Sequence, residues 1–343
     1  MAEPNTEFPP QLDSITKLFY LEGYMLIPRF VTGLLWGGLM VLGTATVFGQ
    51  DFPGKPIRLL IPEGGGANEF SARLMAQGIS APLGQAVVVE PRGALLVIET
   101  VAKAPPDGYT LLLQSSSFWV GPLLRKVSYD PVRDFFPVTM VSRAPNLLLV
   151  HPSLPVKSVK ELIALAKSKP GQLNYSSGLI GTSAHLGGEL FKAMAGVNIV
   201  HVAYKSSAPA LTALMGGEVQ VAFAIVSTAT PFVKSGKLRA LAVASAEPSA
   251  LAPGLPTVAA SGLPGFESTS IAGVFAPAKI PVAIINRLNQ EMVRLLRQPD
   301  VKEKFLATGV EPAGNSPEEF AAYIKSDMAR LNKLIKDAGI KVE

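Results

Sequence analysis

Two loops rich in glycine and hydroxyl groups, each joining a strand to a helical pattern, hold the residues best suited to chemistry. The first reads Ile61-Pro62-Glu63-Gly64-Gly65-Gly66-Ala67-Asn68-Glu69 and leads into a helix bearing Leu74 and Ile79. Its glycines let backbone approach a ligand closely, and the first turn of the next helix offers unpaired N–H groups and a partial positive charge. The second loop, Ser176-Ser177-Gly178-Leu179-Ile180-Gly181-Thr182-Ser183-Ala184-His185, adds hydroxyl donors to the same arrangement. Both suit an anion such as a carboxylate. Each also has a plainer reading. The first can be a tight strand-to-helix turn, the second an ordinary cap on Thr182 or Ser183 with His185 packed in the first turn. Ser115-Ser116-Ser117 and Tyr204-Lys205-Ser206-Ser207 follow further apolar runs and offer more donors. Lys205 could neutralise an anion or simply be solvated.

The inventory for catalysis is thin. Glu69 stands where a dinucleotide-binding loop needs its third glycine, and no Gly-Lys-Ser/Thr phosphate loop occurs. A Gly-x-Ser-x-Gly elbow and a His-x-x-x-His pair are both missing. With no cysteine and three histidines, at 151, 185 and 201, neither thiolate chemistry nor a histidine metal cage is expected, and no cofactor is implied. A secreted hydrolase using Ser183 or Ser117 with His185 is the enzyme alternative, but no acid is placed to orient the histidine. Several donors and few general bases describe a receptor better than an enzyme.

The elements that would position these loops alternate. Strand-like runs occur at Ile57–Ile61, Ala86–Val89, Tyr109–Leu113, Leu147–Val150, Val197–Val202, Val219–Val226 and Leu238–Val243. Their nearly continuous hydrophobicity suits parallel strands covered on both faces. Between them, Ser158 with Glu161 forms a capping box for a helix ending at Lys169-Pro170-Gly171. Leu186, Leu190, Phe191 and Met194 mark one face of a helix closed by Gly196, and a short helix spans 209–215. Ile284, Ile285, Leu288, Met292, Leu295 and Leu296 make a long apolar stripe, and Ser316-Pro317-Glu318-Glu319 caps the last helix. Such alternation predicts an α/β fold whose ligand sits beyond the carboxyl ends of the strands. The stretches Ala144-Pro145 and Leu255–Gly265 are candidate crossings between two lobes.

Composition narrows the class. The 343 residues are 48% hydrophobic and 17% charged, which excludes intrinsic disorder, and 29 prolines with 31 glycines exclude a long coiled coil. The net charge of +5 is spread out, with no basic patch to suggest nucleic acid. Residues 30–49 carry no charge, follow Arg29 and end in small residues, as a cleaved secretory signal does. A start at Met25 would give that signal an ordinary length. The rival reading of 30–49 is a retained membrane anchor, which would suit a membrane-anchored structural protein.

A specific resemblance runs from about Pro53 to the C-terminus. Gly84–Glu90 (GQAVVVE), Val101–Thr110 (VAKAPPDGYT), His201–Lys205 (HVAYK) with Pro209-Ala210-Leu211, Gly236–Val243 (GKLRALAV), Leu255–Val258 (LPTV), Ser261–Glu267 (SGLPGFE) and Pro317–Phe320 (PEEF) occur in the order of the Bug family. That family comprises the extracytoplasmic solute receptors of tripartite tricarboxylate transporters. The resemblance implies a two-lobed periplasmic binding protein of type II topology, each lobe a mixed, mostly parallel sheet flanked by helices, with the ligand cleft between them. The expected organisation is a signal at 1–49, lobe 1 from 50–146 plus 271–343, and lobe 2 from 147–270. The implied ligand is a small carboxylate and the implied partner a pair of transporter membrane subunits, with the receptor a periplasmic monomer. A receptor serving signalling without its own permease is the variant of this reading.

Carried over by motif, the ligand would meet Gly64, Gly65, Gly66 and Asn68 on one side, and Ser177, Gly178, Gly181, Thr182 and Ser183 on the other, with Tyr204 nearby. Glu63, Ser115 and Ser117 complete the candidate set. The chain also departs from the family pattern. Its first loop is shorter and ends in Glu69 instead of aspartate; Pro91-Arg92-Gly93-Ala94-Leu95-Leu96 lacks the later glycines of its segment. Leu179-Ile180 occupies a one-residue position, Phe223-Ala224 replaces Phe-Asp, and Ile271 replaces a frequent tryptophan. Losing that aspartate removes a partner for an amino group, so an apolar or aromatic carboxylate is expected over an amino acid.

Overall fold

The computed structural model describes residues 52–63, 66–178, 180–337 and 339–340. The signal segment expected within 1–49 lies outside these residues, as do Gly64, Gly65 and Leu179. The first half runs β1 (Ile57–Pro62), α1 (Gly66–Leu83), β2 (Val87–Arg92), α2 (Ala94–Ala102), β3 (Thr110–Ser115) and α3 (Ser117–Leu124). After β4 (Phe135–Val150) come α4 (Val159–Ser168), β5 (Asn174–Ser177), α5 (Ser183–Ala195), β6 (Val200–Ala203), α6 (Ser207–Met215), β7 (Val221–Ile225), α7 (Val226–Lys234) and β8 (Arg239–Val243). The chain returns through β9 (Thr269–Pro277) and ends with α8 (Val282–Leu296), α9 (Pro299–Ala307), β10 (Glu311–Pro312) and α10 (Pro317–Asp337).

The strands follow the order β2-β1-β3-β9-β4-β7-β5-β6, with β8 and β10 both on β4. β1 pairs in parallel with β2 and β3, and β5 with β6 and β7. Every antiparallel pairing involves β4 or β9. β4 changes partners along its length: Phe135 to Pro145 lies on β9, while Asn146 to Val150 lies on β7 and β8. Asn146 secures this point. Its backbone N–H and its side-chain amide donate to the Ser268 carbonyl (both 3.1 Å), and the amide also reaches the Ser268 hydroxyl at 2.8 Å.

Two findings differ from the sequence reading. β4 begins at Phe135, well before the apolar run at Leu147, because Pro137, Arg143 and Pro145 make its first part read as loop. Irregular register against β9 near Pro137 and Met140 accommodates residues that an even ladder would not. β5 and β9 carry too many small and polar residues (Asn174, Ser176, Thr269, Ser270, Gly273) to register as apolar runs. The stretch 255–265 lies on the connection from β8 to β9, with Val258 and Leu263 buried in the core and Val243 bridging Thr257.

The helix ends behave as their sequences dictate. Ser158 Oγ accepts from Glu161 N (3.2 Å), while Glu161 Oε2 accepts from Lys157 N (2.6 Å). Ser316 and Glu319 exchange side-chain and backbone bonds at 3.0–3.1 Å, a complete capping box. Gly196 closes α5 with φ +61. The apolar stripe of α8 buries Ile285, Leu288, Met292, Leu295 and Leu296 against β4 and α1. α10 packs Phe320 on Phe275 and Trp119, and Asp327 joins α10 to α3 by accepting from Trp119 Nε1 at 2.9 Å.

Candidate functional site

The loops after β1, β3, β5 and β7 open toward one another. A cavity of about 600 Å3 is lined by Ala67, Asn68 and Phe70 at the start of α1, by Ser115 after β3, and by Ser142 and Ala144 on β4. Ile225, Ser227 and Thr228 close it from the β7–α7 junction, and Ser270, Ala272, Thr308 and Val310 from the return side. A second cavity of about 190 Å3 shares Ser115, Ile225 and Ser270 with the first, so the two form one cleft. Its other walls are Ser116 and Ser117 on one side and Gly181, Thr182, Ser183 and Ala184 at the N-terminus of α5 on the other, with Ser207 and Ala224.

The candidate residues divide accordingly. Asn68, Ser115, Ser117, Gly181, Thr182 and Ser183 meet at this cleft. The Asn68 amide makes no hydrogen bond among the described residues. Ser115 and Ser117 hydroxyls lie 2.9 Å apart. Gly66 opens α1 at the cavity edge, next to the lining Ala67. Four candidates stand elsewhere. Glu63 is exposed and its N–H donates to the Arg92 carbonyl at 2.8 Å. Ser177 is 1% exposed, with its hydroxyl 2.8 Å from His201 Nε2. Gly178 is packed so closely on Ser206 and Ser207 that a Cβ would come within 3.0 Å of their backbone. Tyr204 donates its N–H to the Ser177 carbonyl and packs against the apolar cluster that contains Leu211 and Leu214. Glu69, the acid at the end of the first loop, pairs with Arg73 one turn on and does not line the cleft.

Sequence reasoning reached Ser207 as a donor but missed Ser142, Ser227, Thr228, Ser270, Thr308 and the apolar Phe70, Ile225 and Val310. Ser227 and Thr228 follow a strand, so the rule that favours loops after strands would have reached them. The serines of β4 and β9 carry no such signal, because those segments do not read as strands.

Beneath the second loop lies a buried polar cluster. His185 Nδ1 accepts from Gly181 N at 3.2 Å, and its ring sits 4.6 Å from that of His201. His201 in turn stacks on Tyr175 (4.7 Å), whose hydroxyl donates to Glu189 at 2.6 Å; Lys192 pairs with the same carboxylate at 2.9 Å. Burial, helped by the neighbouring His201, pushes His185 down from 6.5 to about 4, and burial also lowers His201. His185 is therefore neutral at pH 7 and acts as an acceptor that holds Gly181. Neither Ser117 nor Ser183 bonds a histidine among the described residues; Ser177 and Ser153 do, and Ser177 is shut away from the cleft while Ser153 does not line it.

Because an unfolded His185 binds a proton at its ordinary value of 6.5 while the native one waits until about 4, the unfolded chain takes up more protons across that window. Stability is thus full above pH 6.5 and falls as pH drops toward 4. A His185→Asn variant, which keeps an acceptor for Gly181 but does not titrate, is expected to flatten the fall in melting temperature between pH 6.5 and 4. An unchanged slope would show that His185 does not carry it.

The comparisons with known proteins agree with this architecture. Residues 71–340 match the model of the tripartite tricarboxylate transporter family receptor. A protein from the tcbD-tcbE intergenic region of a Pseudomonas strain is 37% identical over 290 residues, covering 83% of this chain and 86% of that protein. Protein BugT of Bordetella pertussis is 34% identical over 306 residues, with 87% and 94% covered. Among solved structures, R. palustris Rpa4515 with adipate superposes with a TM-score of 0.71 at 36% identity, covering 84% of this chain and 99% of that one. MatC from Rhodopseudomonas palustris with bound malate gives 0.66 at 28% identity, covering 83% and 100%. Matched over most of its length, the chain belongs to the tripartite tricarboxylate transporter family of receptors.

Proposed function

We propose that this receptor captures a small carboxylate with an apolar or aromatic body in the cleft between Asn68, Ser115 and Ser117 on one side and Gly181 to Ser183 on the other. One observation carries the reading: among the described residues no ionisable side chain lines either of these two cavities, whereas serines, threonines and the Asn68 amide surround them beside Phe70, Ile225 and Val310. Neutral donors and the N-terminal turns of α1 and α5 hold an anion without a counter-cation. The apolar wall rewards a hydrocarbon body. Among the described residues no carboxylate lines these two cavities to receive an ammonium group, which disfavours amino acids. The bound acids of the relatives described above, adipate and malate, belong to the same chemical class.

The receptor works by closure and not by turnover in this reading. Residues 50–146 with 271–343 form one lobe and 147–270 the other, hinged where β4 changes partners at Pro145 and Asn146. The closed form, exported to the periplasm by the segment before residue 50, hands its ligand to the membrane subunits of a transporter. A melting-temperature screen tests the ligand class directly. At a hundredfold excess over the dissociation constant, a ligand adds about 2.7 kcal/mol and raises the melting point by roughly 5–10 °C. Benzoate or adipate is expected to give such a rise, and aspartate and glutamate none. Tight binding of aspartate with no response to aromatic or aliphatic acids would overturn the reading.

A further inference from the structure

A second cavity of about 700 Å3 opens on the other side of Ser117, between α2 and α3. Its walls are apolar: Leu95 and Ile98 from α2, and Phe118 and Tyr129, whose rings stack at 5.2 Å. Leu95 and Leu96 are 52% and 54% exposed in the first turn of α2, a large apolar surface for two adjacent residues. These are the two leucines that stand where the family pattern has glycine.

The polar features of this cavity are unspent. Gln114 is only 5% exposed; its Oε1 accepts from Ser115 N at 2.9 Å, while its amide nitrogen donates to nothing among the described residues. A ligand oxygen at that nitrogen would take up the free donor. Arg125 and Lys126 stand exposed at the mouth with no carboxylate partner among the described residues. The one acid in the lining, Glu99, already accepts from the Ser128 hydroxyl at 2.5 Å.

We propose that this cavity is a second binding pocket, separate from the cleft, for an organic anion with a flat apolar body. The body lies between Leu95 and the Phe118–Tyr129 stack, an oxygen accepts from Gln114 Nε2, and the acid group faces Arg125 and Lys126. The pocket does not depend on the cleft being a carboxylate site, since Ser117 alone is common to both linings.

Titration with 1-anilinonaphthalene-8-sulfonate, a flat apolar anion whose fluorescence rises when it leaves water, tests this. The protein without its residues before 50 is expected to bind one molecule per chain saturably. Leu95→Asp, and separately the pair Arg125→Gln and Lys126→Gln, should weaken binding at least tenfold, while Gly181→Val in the cleft should change it less than twofold. The charge pair is fully solvent-facing and keeps the test available should Leu95→Asp fail to fold. Undiminished binding in the pocket variants, loss of binding in Gly181→Val, or no saturable binding at all would each overturn the proposal. The benzoate and adipate melting shifts should survive the pocket variants; their lack in every variant would count against the cleft reading alone.

Discussion

Gly188→Val is expected to lower the melting temperature by about 10 °C and to loosen the second ligand loop. Gly188 lies on the face of α5 that crosses β5, and a Cβ there would come 2.1 Å from Cε2 of Tyr175, with two further ring atoms inside 2.8 Å. The tyrosine ring cannot step aside. It is fully buried, stacked on His201, and tethered to Glu189 through its hydroxyl. Either α5 lifts from the sheet or the tyrosine leaves its slot and strands the Glu189 carboxylate. Overpacking of this kind costs typically 1–3 kcal/mol, and the lost buried hydrogen bond adds about 1 kcal/mol or more. For a chain of this size each kcal/mol is worth roughly 2–4 °C. A thermal melt showing a fall under 3 °C would mean the helix and strand are less tightly apposed than the structure has them.

Gly181→Val strikes the cleft itself and is expected to weaken carboxylate binding at least tenfold while costing less stability than the previous change. Gly181 has φ +86, a left-handed conformation that a β-branched residue adopts only at about 1–2 kcal/mol. A Cβ would also lie 2.5 Å from Leu124 Cδ1, though that is the far end of a flexible side chain and can move. The strain therefore falls mainly on the backbone. Relaxing it rotates the Gly181 peptide away from His185 Nδ1 and misdirects the N–H groups that follow at the start of α5. A tenfold loss is about 1.4 kcal/mol, within that strain. Calorimetric titration with the best acid from the screen measures it; affinity unchanged within twofold would show that the loop geometry does not govern binding.

Much of the site was legible because helix termini announce themselves. Thr182 and Ser183 before an apolar face, and the glycines before Asn68, identify N-terminal turns whatever the fold, and the structure brings those two turns to one cleft with Ser115 and Ser117. Ser177 illustrates the limit. The sequence shows it as one more hydroxyl in a polar loop, but it is the last residue of β5 and shares a strand face with Tyr175, so its side chain points under α5 toward His201. That alternation could not be applied without the bounds of β5, which no apolar run marks because Asn174, Ser176 and Ser177 make a central strand out of polar residues. β4 and β9 hid for a related reason. Their prolines, bulges and Gly273 read as loop, yet Gly273 is needed where the Phe320 ring would meet a Cβ at 2.3 Å. The serines they contribute to the cleft, Ser142 and Ser270, were hidden with them.

Amide hydrogen exchange of the protein with and without a saturating carboxylate tests most directly whether both turns grip one acid group. Slowed exchange is predicted in two separate segments at once, Ala67 to Phe70 and Thr182 to His185, with Ser117 protected beside them. A ligand that binds saturably yet protects only one of these segments, or neither, would contradict the account.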